Sequence, residues 1–369
     1  MRVLITNIEM KFRSGTTLYA RDLALELMRQ GHQPAIFTLV TGGIADELRQ
    51  AGIQVETCLK RFQIQPDIIH GHHNTVTNAA LQFYQGVHAL YICHDHIAMI
   101  DEPPIHPRIH SYCAVSKVCA ERVRLQGIPE KEIIFLPNFV DIQRFRIRPP
   151  LPRHPRRALL FSNYANISTH LPAVQEACRQ TGLELDIIGM GVGHPVERPE
   201  DILGNYDIVF AKAKAAMEAM AVGAAVILCD FSGVGPLVTS QEFAALQPFN
   251  FGFQALRNPL APEHLVKQIA RYDAEDAASV RDLLRSNHRL DETVQKLVVI
   301  YGQLINAQSS AGSEPDVYNS FIHRFKVSIS LRLQKLNIAI LPLKRTLFKS
   351  MPGYSFFKRV FWCLMRMCR

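Results

Sequence analysis

A single carboxylate stands inside an apolar stretch in the second half of the chain. Glu218 lies in Ala-Ala-Met-Glu-Ala-Met-Ala-Val-Gly, which reads as a helix between a strand that ends near Phe210 and one that begins at Ala225. A buried carboxylate is costly unless a hydrogen-bond donor meets it. Nucleotides bind at the carboxyl ends of strands in open α/β sheets. We therefore expect Glu218 to accept hydrogen bonds from a ribose or sugar hydroxyl.

Two lysines precede this helix, at the carboxyl end of the strand before it. Lys212 and Lys214 alternate in Phe-Ala-Lys-Ala-Lys-Ala. The N-terminus of a helix favours anions, and an ammonium group beside it can neutralise a diphosphate. We expect one of these lysines, Lys212 in preference to Lys214, to bind a diphosphate. The alternative is that both are solvated lysines on a surface loop.

Glycines mark two further turns where a ligand could approach the backbone. Gly15 lies between the first strand and the first helix, and the hydroxyls of Thr16 and Thr17 are candidate caps and donors. Gly189 and Gly191 follow another strand in Ile-Ile-Gly-Met-Gly-Val-Gly, without the G-x-G-x-x-G spacing of a dinucleotide site. We expect Gly15, Thr16, Gly189 and Gly191 to contact a bound phosphate or sugar, although any turn of this type could use the same residues.

A histidine follows the apolar strand expected over residues 89–93. The imidazole of His94 can donate to a sugar hydroxyl and exchange a proton near neutral pH. The alternative is a solvent-facing turn in which Asp95 serves as a cap. The histidines of this half lack the His-x-x-x-His spacing of a metal site, so we expect no catalytic metal.

Strand-like and helix-like segments alternate along most of the chain, which predicts an α/β fold with parallel sheets and crossover helices. The first helix is expected from about Thr16 to Arg29, with Gly31 as its stop. Four prolines between residues 146 and 157 interrupt the alternation and mark a linker. The predicted division is a Rossmann-like domain over 1–145, the linker over 146–157, a second Rossmann-like domain over 158–306, a flexible connection over 307–316 and a basic tail over 317–369.

The run Glu-Ala-Met-Ala-Val-Gly-Ala-Ala-Val-Ile from residue 218 resembles the donor-site helix and following strand of the retaining family 4 glycosyltransferases. These enzymes have the GT-B fold, in which two Rossmann-like domains face each other across a cleft. Other segments that resemble the family occur in the expected order over roughly residues 1–305. They are Phe-Arg-Ser-Gly-Thr-Thr-Leu-Tyr-Ala-Arg-Asp-Leu-Ala from residue 12, Pro-Asp-Ile-Ile-His-Gly-His-His from residue 66, Ala-Val-Ser-Lys-Val-Cys-Ala-Glu-Arg from residue 114 and Leu-Pro-Asn-Phe-Val-Asp-Ile-Gln-Arg-Phe from residue 136.

The resemblance implies an enzyme of the hexosyltransferase type. It would move a sugar from a nucleotide diphosphate donor to a glycan or lipid-linked acceptor with retention, without a metal or cofactor, in surface polysaccharide or lipopolysaccharide assembly. Glu218 would hold the ribose and orient the donor, His94 would contact the transferred sugar, and His72 and His73 would lie on the acceptor side. The departing phosphate, stabilised by cations and amides, would itself take the proton of the acceptor.

Two departures from the family pattern leave alternatives open. The family carries a second acidic residue eight positions before the helix glutamate, where this chain has Phe210. It also carries an Arg and a Lys after the first strand of the second domain, where residues 159–170 contain neither. The alternatives are a catalytically silent GT-B homologue that acts as a binding or assembly subunit, and a nucleotide-sugar epimerase on the same fold.

The net charge of +8 belongs to the C-terminal tail. No acidic residue follows Asp316, while lysines and arginines recur to the end of the chain, and apolar residues share one face of a helix expected from residue 355. We expect residues 317–369 to bind an anionic membrane surface; the alternative is that they pack against the second domain. No nucleic-acid-binding module accompanies the cations, so nucleic acid is not an expected partner.

The remaining composition is that of a globular protein, with 48% hydrophobic and 20% charged residues. The chain shows no secretory signal at its start and no zinc spacing among its cysteines, which favours reduced thiols in the cytoplasm. We therefore expect a cytoplasmic protein, attached peripherally to the inner face of the cytoplasmic membrane through its tail.

Overall fold

The computed structural model describes the backbone of residues 1–310 and the side chains of residues 1–307. The basic tail expected over 317–369, and most of the connection before it, lie outside the described residues. No helix within residues 1–310 combines the length and the apolar character needed to cross a bilayer.

The first domain is a parallel sheet with helices between its strands. Its strands are β1 (Arg2–Thr6), β2 (Glu9–Met10), β3 (Gln33–Phe37), β4 (Val40–Thr41), β5 (Gln54–Glu56), β6 (Ile68–His72), β7 (Ala89–Cys93), β8 (Ile109–Ala114) and β9 (Ile133–Phe135). Its helices are α1 (Gly15–Arg29), α2 (Gly43–Gln50), α3 (Asn74–Phe83) and α4 (Lys117–Leu125). Seven strands pair in the order β5-β3-β1-β6-β7-β8-β9, all parallel, and β2 pairs only with β4.

The second domain repeats this arrangement with fewer strands. Its strands are β10 (Arg157–Phe161), β11 (Glu184–Ile188), β12 (Ile208–Ala211), β13 (Ala225–Asp230) and β14 (Gly233–Leu237), and the later helices are α5 (Leu171–Thr181), α6 (Ala213–Val222), α7 (Ser240–Leu246), α8 (Pro262–Ile269), α9 (Ala274–Asn287) and α10 (Leu290–Ser310). The sheet order is β11-β10-β12-β13-β14, and only the edge strand β14 runs antiparallel.

Both sheets reverse their strand order once, and these points position the site. In the first sheet the chain moves outward from β1 to β5 and then returns to place β6 on the other side of β1. In the second sheet β11 and β12 flank β10 in the same way. Ligands of open α/β sheets bind outside the carboxyl ends of strands at such switch points. The residues that follow β6 and β12, His73 and Lys212, stand at these points.

Apolar side chains cover both faces of the second sheet. Met217 and Met220 of α6 pack against Val226 and Leu228 on one face. Phe210 lies on the other face, in a buried cluster that α5 and α8 cover. The position where the family pattern has an acidic residue is therefore part of a closed hydrophobic core in this chain.

The position of α10 shows that the predicted end of the second domain is wrong. α10 packs against α1 and β6, and Tyr301 of α10 meets His70 of β6. The Nε2 of Gln30, at the C-cap of α1, donates to the carbonyl of Asp291, 3.1 Å away. A helix assigned to the domain over 158–306 thus lies on the first domain. It also continues to Ser310, into the stretch expected to be flexible from residue 307.

Candidate active site between the two domains

Helix α6 begins at the switch point of the second sheet without a side-chain cap. Lys212 precedes it in an extended conformation, and Ala213 has a φ of 50°, with its amide donating to the carbonyl of Phe251. The amides of Lys214 and Ala215 have no hydrogen-bond partner within residues 1–310, and the first turn is partly exposed. A non-glycine residue at positive φ is strained, and such strain is concentrated at functional sites. This end of α6 offers free amides to an anion.

Lys214 joins the two domains. Its Nζ lies 3.0 Å from Oδ2 of Asp22 in α1 and 3.6 Å from Oε1 of Glu218, one turn further along α6. The side chains of Asp22 and Glu218 are 2% and 3% exposed. One ammonium group therefore lies between two buried carboxylates, one from each domain.

Asp22 is the negative centre of this network. Arg21 donates to its Oδ1 through Nη2 at 2.6 Å, and Nη1 of Arg144 lies 3.3 Å from the same oxygen. Burial alone would raise the pKa of Asp22, but Lys214, Arg21 and Arg144 together hold it well below its usual range. Asp22 is therefore ionised, and it holds three cations at the cleft.

The pKa of Glu218 is shifted in the opposite direction. Burial raises its pKa above the usual value, although Lys214 and Arg144 oppose the rise, and the nearby charge of Asp22 adds to it. The carboxyl group lies on the side of α6 that faces the first domain, as the sequence predicts for a residue of the cleft. It is covered, however, so a ribose can reach it only when the surrounding side chains move.

Lys212 has a different partner within the second domain. Its Nζ lies 2.5 Å from Oδ2 of the fully buried Asp230 and 3.3 Å from the ring centroid of Phe253, with the rings of Tyr164 and Phe231 nearby. Burial lowers the pKa of Lys212, while the charge of Asp230 raises it. The alternative of two solvated surface lysines is therefore wrong, and a diphosphate would compete with Asp230 for Lys212.

The histidines of the first domain form a buried row beside the cleft. Nδ1 of His72 lies 2.8 Å from Nε2 of His94, and Nδ1 of His73 accepts from the amide of Ile8 at 3.1 Å. His72 is fully buried and His73 nearly so, whereas His94 is partly exposed. His72 contacts His94 and His73 contacts the backbone, so both histidines predicted on the acceptor side are covered by neighbouring groups, and their acceptor-side roles stay predictions.

The turn after His94 faces the second domain. Oδ1 of Asp95 accepts from the amides of Ile97 at 2.6 Å and Ala98 at 2.8 Å, so it closes a turn; it does not cap the short 3₁₀ helix that follows, whose N-cap is Ala98. The charge of Asp95 also raises the pKa of Lys212, against the larger effect of burial. The turn that contains Asp95, at the carboxyl end of β7, and Lys212, at the start of α6, therefore lie close enough to interact electrostatically.

Two aromatic rings connect His94 to Lys214. The ring of Tyr19 lies 4.7 Å from that of His94 and 4.4 Å from that of Phe139. Nζ of Lys214 in turn lies 5.6 Å from the centroid of the Phe139 ring. The structure thus brings His94, Lys212, Lys214 and Glu218 to one region between the domains.

The glycine turns have different surroundings. A Cβ at Gly15 would meet nothing within 4 Å, so the turn before α1 is open to a ligand. Its N-cap is Ser14, whose side chain accepts from the amide of Thr17, and the prediction that Thr16 or Thr17 caps the helix is wrong. The side chain of Thr17 instead donates to Oε1 of Glu9 at 2.8 Å.

Gly189 and Gly191 are required by the packing of the chain itself. A Cβ at Gly189 would lie 2.1 Å from the carbonyl oxygen of Ser162, and one at Gly191 would lie 2.2 Å from that of Ala165. This contact explains both glycines without a donor. It also fixes the loop after β10, whose Asn163 donates to the carbonyl of Arg13 across the cleft at 3.2 Å.

Sequence reasoning missed Asp22, Asp230, Tyr19 and Phe139. Asp22 offered the same signal as Glu218, because it stands inside an apolar helix, in Tyr-Ala-Arg-Asp-Leu-Ala-Leu. Asp230 ends the apolar strand Ala-Val-Ile-Leu-Cys-Asp, where a polar residue reaches the carboxyl edge of the sheet. The two aromatic residues gave no signal, since rings at such spacing are ordinary core residues. Within the described part of the chain, no group of three or more His, Cys, Asp or Glu side chains could hold a metal ion.

Comparisons with known proteins agree with this architecture. The sequence model of Glycosyltransferase Family 4 matches residues 13–144, most of the first domain. No curated protein matches the chain at a significant level.

Three solved structures resemble the chain over both domains. HepE of Anabaena, in complex with UDP and glucose, superposes with a TM-score of 0.61 at 12% identity, over 82% of this chain and 99% of that one. A glycosyltransferase from Rickettsia africae gives 0.59 at 14% identity, over 82% and 98%. Sucrose-phosphate synthase of Thermosynechococcus elongatus gives 0.55 at 13% identity, over 83% and 99%. The chain therefore has the GT-B fold of two facing Rossmann-like domains, and its first domain is similar in sequence to Glycosyltransferase Family 4.

Proposed function

We propose that this chain is a glycosyltransferase that takes a sugar from a nucleotide diphosphate donor bound between its two domains. The observation that carries the proposal is the start of α6, where free amides, two lysines and Glu218 stand at the switch point of the second sheet. Amides and ammonium groups suit the diphosphate, and a carboxylate one turn away suits the ribose hydroxyls. The structural likeness to HepE, solved with UDP and glucose, supports a donor of this class.

The proposed chemistry is electrostatic. Lys212, Lys214 and the amides of α6 would stabilise the leaving diphosphate, and Glu218 would orient the donor rather than attack it. The acceptor oxygen would bond to the anomeric carbon on the face from which the diphosphate departs, which retains the configuration. A phosphate oxygen of the leaving diphosphate would accept the acceptor's proton, and no metal would take part. His94, at the carboxyl end of β7, would donate to a hydroxyl of the transferred sugar. We further propose a glycan or lipid-linked acceptor in surface polysaccharide or lipopolysaccharide assembly, with the tail over 317–369 holding the enzyme at the cytoplasmic face of the membrane.

Donor binding tests the proposal first, and turnover tests it second. The melting temperature is measured with UDP, UDP-glucose and other nucleotide sugars, for the wild type and for Glu218→Gln, which keeps the side-chain volume. We expect one donor to stabilise the wild type and to lose most of this effect in the variant. A wild type that no nucleotide sugar stabilises would contradict the proposal.

A second candidate is a GT-B subunit that binds a donor without turning it over. The pairing of both lysines with carboxylates favours it, because neither ammonium group is free for a phosphate. An assay of nucleoside diphosphate released from the nucleotide sugar separates the two. The enzyme should release it slowly in water and faster with an acceptor extract, whereas the silent subunit should release none. An epimerase would instead convert the nucleotide sugar with no acceptor present.

A further inference from the structure

Two histidine rings on neighbouring strands share one hydrogen bond. His72 ends β6, His94 follows β7, and Nδ1 of the first lies 2.8 Å from Nε2 of the second. Burial, together with the neighbouring histidines, lowers the pKa of both rings well below the usual value. Both are therefore neutral near pH 7, and each carries one N–H. One of the two nitrogens in contact donates and the other accepts.

The surroundings of His72 decide which ring donates. Its Nε2 is buried and has no hydrogen-bond partner within the described residues. A buried N–H without an acceptor is rarer than a buried acceptor without a donor. The proton of His72 therefore stands on Nδ1, where it has an acceptor, and it is donated to Nε2 of His94. His94 then carries its own proton on Nδ1, for which no hydrogen-bond partner lies within residues 1–307.

Neighbouring rings hold this pair in place. The ring of His70 lies 4.7 Å from that of His72, and Nδ1 of His70 is hydrogen-bonded to the hydroxyl of Tyr301 in α10. Tyr19 contacts both members of the pair edge-on, with centroids 5.4 Å from His72 and 4.7 Å from His94. A ring packed on both sides cannot turn to exchange its two nitrogens without displacing its neighbours.

We infer that His72 is a positioning residue that fixes the tautomer of His94. By donating to Nε2, it makes Nδ1–H the only donor that His94 can offer at the carboxyl end of β7. The role of this N–H rests on the proposed function: it binds a hydroxyl of the transferred sugar. His72 itself touches no substrate.

The inference is tested on the full chain by nitrogen NMR of ¹⁵N-labelled histidines, with the His94 signals assigned by their loss in His94→Gln. In the wild type at pH 7.5 we expect a protonated Nδ1 and an accepting Nε2 for His94. His72→Asn keeps a donor close to the position of Nδ1 and should preserve this pattern. His72→Leu removes the donor and should return His94 toward the Nε2–H tautomer that free neutral imidazole favours. A proton on Nε2 in the wild type, or a pattern unchanged in His72→Leu, would overturn the inference.

Kinetics then test the role of the fixed tautomer. In His72→Leu we expect kcat to fall about 10- to 100-fold, as for other residues that orient a catalytic group, with the donor Kd nearly unchanged. His72→Asn should recover most of the loss. Equal kcat in the wild type and His72→Leu would overturn the positioning role. If no nucleotide sugar is turned over at all, the proposed function fails, while the NMR result still decides the tautomer of His94.

Discussion

Replacement of Glu218 by glutamine should stabilise this protein while it weakens donor binding. The side chain is 3% exposed, and burial raises its pKa above the usual value despite the cations around it. Its nearest cation, Nζ of Lys214, is 3.6 Å away, beyond the length of a good hydrogen bond. Lys214 keeps Asp22 at 3.0 Å when the charge of Glu218 is removed. Glu218→Gln therefore removes a desolvated charge and leaves no cation without a partner.

The sign follows from the direction of the pKa shift. A folded-state pKa above the unfolded value means that the ionised carboxylate disfavours folding, so its contribution to stability falls as pH rises through the folded pKa. At pH 7.5 the glutamine variant should gain about 0.5–2 kcal/mol, the range typical of single stabilising substitutions. Near pH 4.5, the usual value for glutamate, most of the gain should disappear, because the carboxyl is then largely protonated in the folded state and half protonated in the unfolded chain.

Thermal and urea unfolding of the two proteins at pH 7.5 and pH 4.5 measure this difference. Asp22→Asn is the matched control, since it removes a carboxylate of the same network whose pKa is shifted the other way. A Glu218→Gln protein less stable than the wild type at pH 7.5 would contradict this prediction. It would show that the carboxylate is stabilised by its neighbours more than it is penalised by burial.

Three further predictions concern the same structure. Asp22→Asn should lower the free energy of unfolding by about 3–5 kcal/mol at pH 7.5, because three cations lose their buried partner; a loss below about 1 kcal/mol would contradict the network. Gly189→Ala should lower the urea midpoint of unfolding, because the added Cβ would lie 2.1 Å from the carbonyl oxygen of Ser162 and residue 189 has a φ of 139°. A midpoint equal to that of the wild type would contradict this packing. The free energy of unfolding should fall as pH drops below about 6.5, because burial lowers the pKa of His70 to about 3 and that of His73 to about 4, so the unfolded chain binds protons first. In His70→Phe the urea midpoint should fall less steeply between pH 6.5 and 5. Equal dependence of the midpoint on pH in both proteins would count against buried neutral rings.

The fold was accessible from sequence because its signals are local. Apolar strands such as Ala-Leu-Tyr-Ile-Cys before His94 and the proline-rich stretch over 146–157 mark strands and linker without reference to distant residues. The placement of α10 was not accessible in this way. Its amphipathic pattern fits either domain, and only tertiary contacts, such as those of Tyr301 with His70 and of Gln30 with Asp291, show that it lies on the first.

The site was predictable only in part, for a related reason. Glu218 and the lysines before it were found because charged residues in an apolar context are conspicuous within a few positions. Lys214 pairs with Asp22, 192 residues away, and Lys212 pairs with Asp230 at the end of the next strand, so the pairing that removes the lysines from solvent depends on tertiary structure. The contact of His72 with His94 depends on tertiary structure in the same way, because the two rings are 22 residues apart in sequence.

A crystal structure of the chain with a bound nucleoside diphosphate tests the central claim most directly. We expect a terminal phosphate within hydrogen-bond distance of the amides of Lys214 and Ala215, and the ribose hydroxyls within hydrogen-bond distance of the carboxylate of Glu218. A nucleotide bound elsewhere, or bound with Glu218 still covered beside Lys214 and out of reach of the ribose, would contradict it.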